Sequence, residues 1–153
     1  MKAKDIMSRP VTVIHEDSTL EDAARIMLEE NIGGLPVVGT GGKLTGIITE
    51  SDFLAKEHGI PFSRIYAPQL FGEWMTKEGV EKGYEAARYN TVNKIMTKSV
   101  VTVSEEDTLE EVITKMLENR VHRIPVISEG APVGMISRHD LLKLVARKIG
   151  ESK

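Results

Sequence analysis

The chain has 153 residues, no cysteine, 41% hydrophobic and 28% charged residues, and a formal net charge of −3 with a pI near 5.8. That composition suits one compact globular unit or two small repeats sharing a core, and it excludes a disulfide framework, a thiolate nucleophile and a cysteine zinc site. The acidic balance argues against general nucleic-acid binding, no apolar run approaches the ~18–20 residues of a membrane span, and Met1-Lys2-Ala3-Lys4-Asp5 is not followed by the apolar segment of a signal peptide; the expectation is a cytoplasmic protein with neither a nucleic-acid nor a membrane partner.

Along the chain, one unit is written twice. Ile6-Met7-Ser8 returns as Ile95-Met96-Thr97, and Val11-Thr12-Val13 as Val101-Thr102-Val103. Leu35-Pro36-Val37-Val38 returns as Ile124-Pro125-Val126-Ile127, and Gly46 to Asp52 as Gly134 to Asp140. A repeat of this size rarely buries its apolar face alone, so the two copies are expected to pack together, with function in the cleft between them. The first copy spans residues 1–56 and the second 95–153, and residues 57–94 form an aromatic-rich helical insert.

Each copy opens with a short β-branched run, Val11 to Ile14 and then Val100 to Val103. An amphipathic helix follows, with Leu20, Ala23, Ala24, Met27 and Leu28 at core-facing spacing, matched by Leu109, Val112, Ile113, Met116 and Leu117. Thr19 and Thr108 stand at N-cap positions, with Asp22 and Glu111 three residues on, and Thr108 with Glu111 matches the capping-box pattern. The surrounding acids (Asp17, Glu21, Glu105, Glu106, Glu110) read as charges that favour the helix dipole rather than as metal ligands. Two strands come next, Leu35 to Val38 with Leu44 to Thr49, then Ile124 to Ile127 with Val133 to Ser137. The glycine-containing segments between them, Gly39 to Gly42 and Ser128 to Gly130, read as turns, because no helix follows to make a phosphate cradle. A second helix closes each copy, from about Glu50 to Lys56 and from about Arg138 to Ile149. In the insert, Leu70, Phe71, Trp74 and Met75 have helical spacing and Val80 to Tyr89 suits another helix; six of the seven aromatics (Phe62, Tyr66, Phe71, Trp74, Tyr84, Tyr89) lie there, suited to core packing or to a lid or partner patch.

The blocks ending in Asp52 and Asp140 admit two readings. In one, Thr49 and Ser137 end a strand and cap the next helix, with the aspartates closing the capping box. In the other, a hydroxyl beside free amides at a helix start holds phosphate, and a carboxylate one turn on accepts two ribose hydroxyls. The second copy adds His122-Arg123 where the first has Gly33-Gly34, and Arg138-His139 where the first has Glu50-Ser51. Those four side chains suit a phosphate tail. Catalysis is not expected: there is no P-loop, no H-E-x-x-H, no Gly-x-Ser-x-Gly and no cysteine.

On these residues the chain resembles the paired cystathionine-β-synthase (CBS) domains, or Bateman modules. The resemblance covers residues 6–56 and 95–149 and rests on the two Ile-Met pairs, the amphipathic helices, Leu35-Pro36-Val37, His122 to Val126 and the two Gly-to-Asp blocks. It implies an α/β (α+β) fold of tandem β-α-β-β-α repeats around a pseudo-twofold axis, with the pair often forming a disc-like homodimer. It implies regulatory binding of AMP, ADP, ATP or S-adenosylmethionine, with no catalytic cofactor and no metal. Asp52 and Asp140 would hold ribose, with Thr49 and Ser137 beside ribose and phosphate. His122, Arg123 and His139 match phosphate-contacting positions, and Arg138 joins them. Thr12-Val13 and Thr102-Val103, through their backbone, would enclose the base together with Val37, Pro125 and Met135. The partner would be an effector protein that the sequence does not identify; the alternative is a dimerisation scaffold with degenerate clefts.

Overall fold

The computed structural model describes residues 1–54 and 77–150. Their order is α1 (Ala3–Ile6), β1 (Ile14–His15), α2 (Leu20–Glu30), β2 (Gly34–Val38), β3 (Leu44–Thr49), a 3-10 turn at Glu50–Leu54, α3 (Lys77–Ala87), α4 (Val92–Ile95), β4 (Val103–Ser104), α5 (Leu109–Asn119), β5 (Arg123–Ser128), β6 (Ala131–Ser137) and α6 (Arg138–Gly150). The strands form two three-stranded sheets, ordered β1-β2-β3 and β4-β5-β6. Residues Phe62, Tyr66, Leu70, Phe71, Trp74 and Met75 lie outside the described residues.

The expected mixed α/β architecture with a repeated sheet is what the chain adopts. Several bounds differ from the sequence reading. The opening strands are two residues long, because the parallel ladder pairs only Ile14 and His15 with Val37 and Val38, and Val103 and Ser104 with Val126 and Ile127. The helix expected from Glu50 is a 3-10 turn through Leu54. Leu28 and Leu117, expected on the core face, are 82% and 73% exposed. Eight residues at 100° each carry them about 80° round the helix from Leu20 and Leu109, whereas seven residues return Met27 and Met116 to the buried stripe.

The chain divides into two compact units that interleave in sequence. The second-repeat unit contains Met1–Thr12, Thr40–Leu44 and the described residues from Val100 onward, around a core of Ala3, Ile6, Met7, Val103, Val112, Met116, Ile124, Val126 and Ile136. The first-repeat unit contains Val13–Gly39 and the described part of Thr45–Ser99, around Ile14, Leu20, Ala23, Met27, Leu35, Val37, Ile48, Ala87, Val92, Ile95 and Met96. Each therefore takes its leading one-turn helix from chain that precedes the other repeat. In the second-repeat unit, Ala3 N–H donates to the Asp107 carbonyl at 2.8 Å, and Ser8 and Met135 exchange backbone hydrogen bonds at 2.8 and 3.3 Å. In the first-repeat unit, Val92 N–H donates to Ser18 at 2.7 Å, and Thr97 and Ile47 exchange bonds at 3.0 Å.

Both long helices start and stop by the same devices. Thr19 and Thr108 accept from the N–H of Asp22 and Glu111, whose carboxylates accept from the two threonine N–H groups. Asn31 and Arg120 then take left-handed conformations (φ 53° in each), and Ile32 and Val121 N–H groups donate back to Met27 and Met116 at 3.0 and 3.1 Å. That reversal delivers the chain to the first residue of β2 or β5.

Candidate functional site

In the second-repeat unit, the turn after α5 leads His122 into β5. The Arg138 N–H at the start of α6 donates to the His122 carbonyl at 3.0 Å. Arg123 lies opposite Ser137 in the antiparallel β5–β6 ladder, as Pro125 lies opposite Met135. Directly opposed residues in such a ladder share a sheet face. Ile124, Val126 and Ile136 fill the core from one face, so Arg123, Pro125, Met135 and Ser137 share the other. His122, Arg123, Ser137 and Arg138 thus meet at one end of the hairpin, with His139 next along; the two histidines and Arg138 are exposed, Arg123 and Ser137 half-buried.

Asp140 is buried, with 6% of its surface exposed. Its Oδ2 accepts from Ser137 N–H at 2.8 Å and from Ser137 Oγ at 3.1 Å, while Asp140 N–H returns a bond to Ser137 Oγ at 3.3 Å. The capping reading of this block is therefore met in full. Oδ1 accepts from Ser8 Oγ at 3.0 Å and from the Lys143 ammonium at 3.3 Å. Burial pushes the Asp140 pKa up, but the Ser137 N–H, the Ser8 and Ser137 hydroxyls and Lys143 outweigh it and hold the carboxyl below its ordinary value. A cleft of about 280 Å³ opens beside it, lined by Ser8, Arg9, Asp140 and Lys143 among others.

The first-repeat unit repeats the scaffold without the cations. Glu50 N–H donates to the Gly33 carbonyl at 3.0 Å, and Thr49 N–H donates to Asp52 Oδ2 at 2.8 Å. Asp52 is 2% exposed. The neighbouring cavity, about 450 Å³, is lined by Ala24, Met27, Leu28, Ile32, Gly33, Glu50 and Phe53 with Asn31. Its surface is apolar and its charged group is acidic, a poor host for polyphosphate.

Other positions singled out from sequence fall differently. Val37 and Val103 are 0% and 1% exposed and point into the two cores, so their side chains are not available to a base. Strand alternation explains this: Val37 is the counterpart of the core residue Val126, and Pro36, the counterpart of Pro125, lies on the opposite face of its strand. Thr12, Val13 and Thr102 are half-buried ahead of β1 and β4, and the Thr102 carbonyl accepts from Lys115 at 3.2 Å. Sequence reasoning missed Ser8 and Lys143 on Asp140. Lys143 was legible as a cation one helical turn after an acid. Ser8 was marked only by the recurrence of a hydroxyl after each Ile-Met pair.

The sequence profile described as the CBS domain matches twice, at residues 3–59 and 92–147. The chain belongs to the CBS domain family. As a CBS pair it is 31% identical over 152 residues to an uncharacterized protein, MJ1426, of Methanocaldococcus jannaschii, covering 94% of this chain and 90% of that one. Among solved structures, the CBS domain of a CBS domain containing membrane protein from Sphaerobacter thermophilus is 42% identical with a TM-score of 0.72, over 94% of this chain and 87% of that. The CBS domain pair of protein MJ0100, solved in complex with 5′-methylthioadenosine and S-adenosyl-L-methionine, is 26% identical with a TM-score of 0.69, over 97% and 98% of the two chains. Several curated relatives are longer proteins, of which this CBS pair spans about a quarter. Among the described residues no helix is long and apolar enough to cross a membrane.

Proposed function

We propose that this CBS pair is a non-catalytic regulatory module that binds an adenosine-containing ligand, AMP, ADP, ATP or S-adenosylmethionine, and passes its occupancy to a partner protein. In this reading Asp140 takes the ribose hydroxyls, Ser137 lies between ribose and phosphate, and His122, Arg123, Arg138 and His139 hold the phosphates. Met135 and the backbone at Thr102 face the base, with the buried Pro125 opposite Met135 in the ladder. Thr49 and Asp52 form a weaker counterpart, since Gly33 and Glu50 stand where His122 and Arg138 supply charge. The observation that carries the reading is the placement of His122, Arg123, Ser137, Arg138, His139 and the buried Asp140 together along one end of the β5–β6 hairpin and the first turn of α6. The adenosyl ligands of the MJ0100 pair support the ligand class. A regulatory role further requires that the ligand favour one arrangement of the protein over another.

Calorimetry with Asp140→Ala and Arg123→Ala tests the assignment. Asp140→Ala should abolish binding at the stronger site, and Arg123→Ala should weaken ATP more than AMP. Equal losses for adenosine and ATP in Arg123→Ala would remove Arg123 from the phosphate role.

A second reading, a homodimerisation scaffold, is favoured by the repeated exposure of Leu28 and Leu117 on equivalent helix positions, with Leu142 and Val145 exposed on α6. Mass measurement and thermal melting with and without nucleotide separate the two. A dimer whose melting is indifferent to nucleotide would support the scaffold; in either case we place the module in the cytoplasm.

A further inference from the structure

The buried carboxylate at Asp140 is already fully engaged. Oδ2 is held inside the α6 cap by both donors of Ser137. Oδ1 accepts from Ser8 Oγ at 3.0 Å and Lys143 Nζ at 3.3 Å. A carboxylate oxygen has about two good acceptor directions. With 6% of Asp140 exposed, no uncovered oxygen remains for a vicinal diol.

Of the groups on Asp140, Ser137 cannot leave without opening the start of α6. Lys143 makes the charge-assisted contact from a half-exposed side chain and can follow Oδ1 as it moves. Ser8 supplies a neutral hydroxyl, the donor a diol replaces in kind. It is also carried by an element with its own, separate anchors. Ala3, Ile6 and Met7 are buried, Lys2 and Lys4 pair with Glu106, and Met7 lies against Gly134 where no Cβ would fit.

We propose that Ser8 is the affinity-setting residue of the second-repeat site: its hydroxyl occupies the Asp140 carboxylate in place of ligand, so ligand binding there and docking of the N-terminal segment 2–8 oppose each other. The proposal rests on Asp140 being the ribose residue. By linkage, whatever the docked segment costs the ligand, the ligand costs the segment. A vicinal diol entering at Asp140 displaces the Ser8 hydroxyl and loosens the segment's attachment to β6 and α6; removing the hydroxyl leaves the carboxylate open to ligand. The apparent affinity of the wild-type protein is then lowered by the fraction of molecules in which Ser8 is docked.

The test titrates AMP and S-adenosylmethionine calorimetrically into the wild-type chain, Ser8→Ala and Lys143→Met, with amide hydrogen exchange of residues 3–8 followed in the wild type with and without ligand. Ser8→Ala should bind about fivefold to tenfold more tightly than wild type, equivalent to about 1–1.4 kcal/mol, the net worth of one ordinary hydrogen bond. Exchange at residues 3–8 should speed up when ligand is added. Unchanged or weaker binding in Ser8→Ala, tightening in Lys143→Met but not Ser8→Ala, or slower exchange with ligand would each overturn the proposal while leaving ribose at Asp140 intact. Absence of binding in all three proteins would remove the ribose reading itself, and this proposal with it.

Discussion

Gly46 and Gly134 occupy the same place in the two repeats, and each lets a strand pass directly beneath a docked methionine. A Cβ built on Gly46 would lie 2.8 Å from Met96 Cγ and 2.9 Å from the Thr97 carbonyl oxygen, besides overlapping Met96 Sδ. On Gly134 its three nearest atoms all belong to Met7, at 2.7 Å from Cγ and 3.0 Å from Cβ, again overlapping Sδ. A methionine side chain can swing away, whereas the Thr97 carbonyl is pinned by the paired 3.0 Å bonds with Ile47. Overpacking alone costs about 1–3 kcal/mol. Retreat of Thr97 adds about 1 kcal/mol for each loosened backbone bond, and the stiffer unfolded chain of alanine returns about 0.4–1 kcal/mol. Gly46→Ala should therefore destabilise by about 2–4 kcal/mol and Gly134→Ala by about 1–2 kcal/mol. Equilibrium urea unfolding measures both, and cycles with Met96→Ala and Met7→Ala measure how much of each cost lies with the methionine. Relief should be larger for Gly134, where only the Met7 Cβ contact at 3.0 Å is left among the three nearest, than for Gly46, where the Thr97 carbonyl remains. A Gly46→Ala protein within about 0.5 kcal/mol of wild type, or a Gly134→Ala costlier than Gly46→Ala, would refute the packing described for these strands.

Other substitutions probe the caps and charges. Thr108→Ala removes the acceptor for Glu111 N–H and should cost about 1 kcal/mol, read from chemical denaturation followed by circular dichroism. Because the folded state holds the Asp140 pKa below its ordinary value near 3.9, its contribution is present above about pH 4 and is lost as pH falls through the lowered value. Asp140→Asn should thus destabilise by about 2–3 kcal/mol at pH 7, with the gap to wild type closing in acid; a gap that widens below pH 4 would contradict that sign. Glu106, paired with Lys2 and Lys4, is held down to about 2. Its hold on the N-terminal segment should persist above about pH 4.3 and fade toward pH 2, and Glu106→Gln should speed exchange at residues 2–6 at neutral pH and low salt. Exchange there unaffected by Glu106→Gln would show that the ion pairs contribute nothing.

What the sequence disclosed was local or repeated. The α2 and α5 caps followed from Thr19 and Thr108 with acids three residues on, and the hairpin strands from β-branched runs bounded by glycine. The one-turn helices at Ala3–Ile6 and Val92–Ile95 were not legible, because four residues carry no periodicity. They are held by backbone bonds to chain about 100 or 70 residues away, such as Lys4 to Glu105 and Val92 to Ser18. The interleaving of the two units is non-local for the same reason. At the site, the cationic residues of the second repeat were legible as departures from an otherwise faithful copy. The core-facing orientation of Val37 was not legible, because a base-facing and a core-facing valine look alike until the strand's alternation is fixed by its neighbours.

The most direct measurement is a calorimetric titration of AMP, ATP and S-adenosylmethionine into the wild-type chain and Asp140→Ala at matched concentration. At least one of the three is expected to bind the wild type with a dissociation constant below about 1 mM, equivalent to about 4 kcal/mol, and to lose that binding in Asp140→Ala. No saturable heat from any of the three, or equal binding by Asp140→Ala, would contradict a regulatory nucleotide site at the end of the second repeat's hairpin.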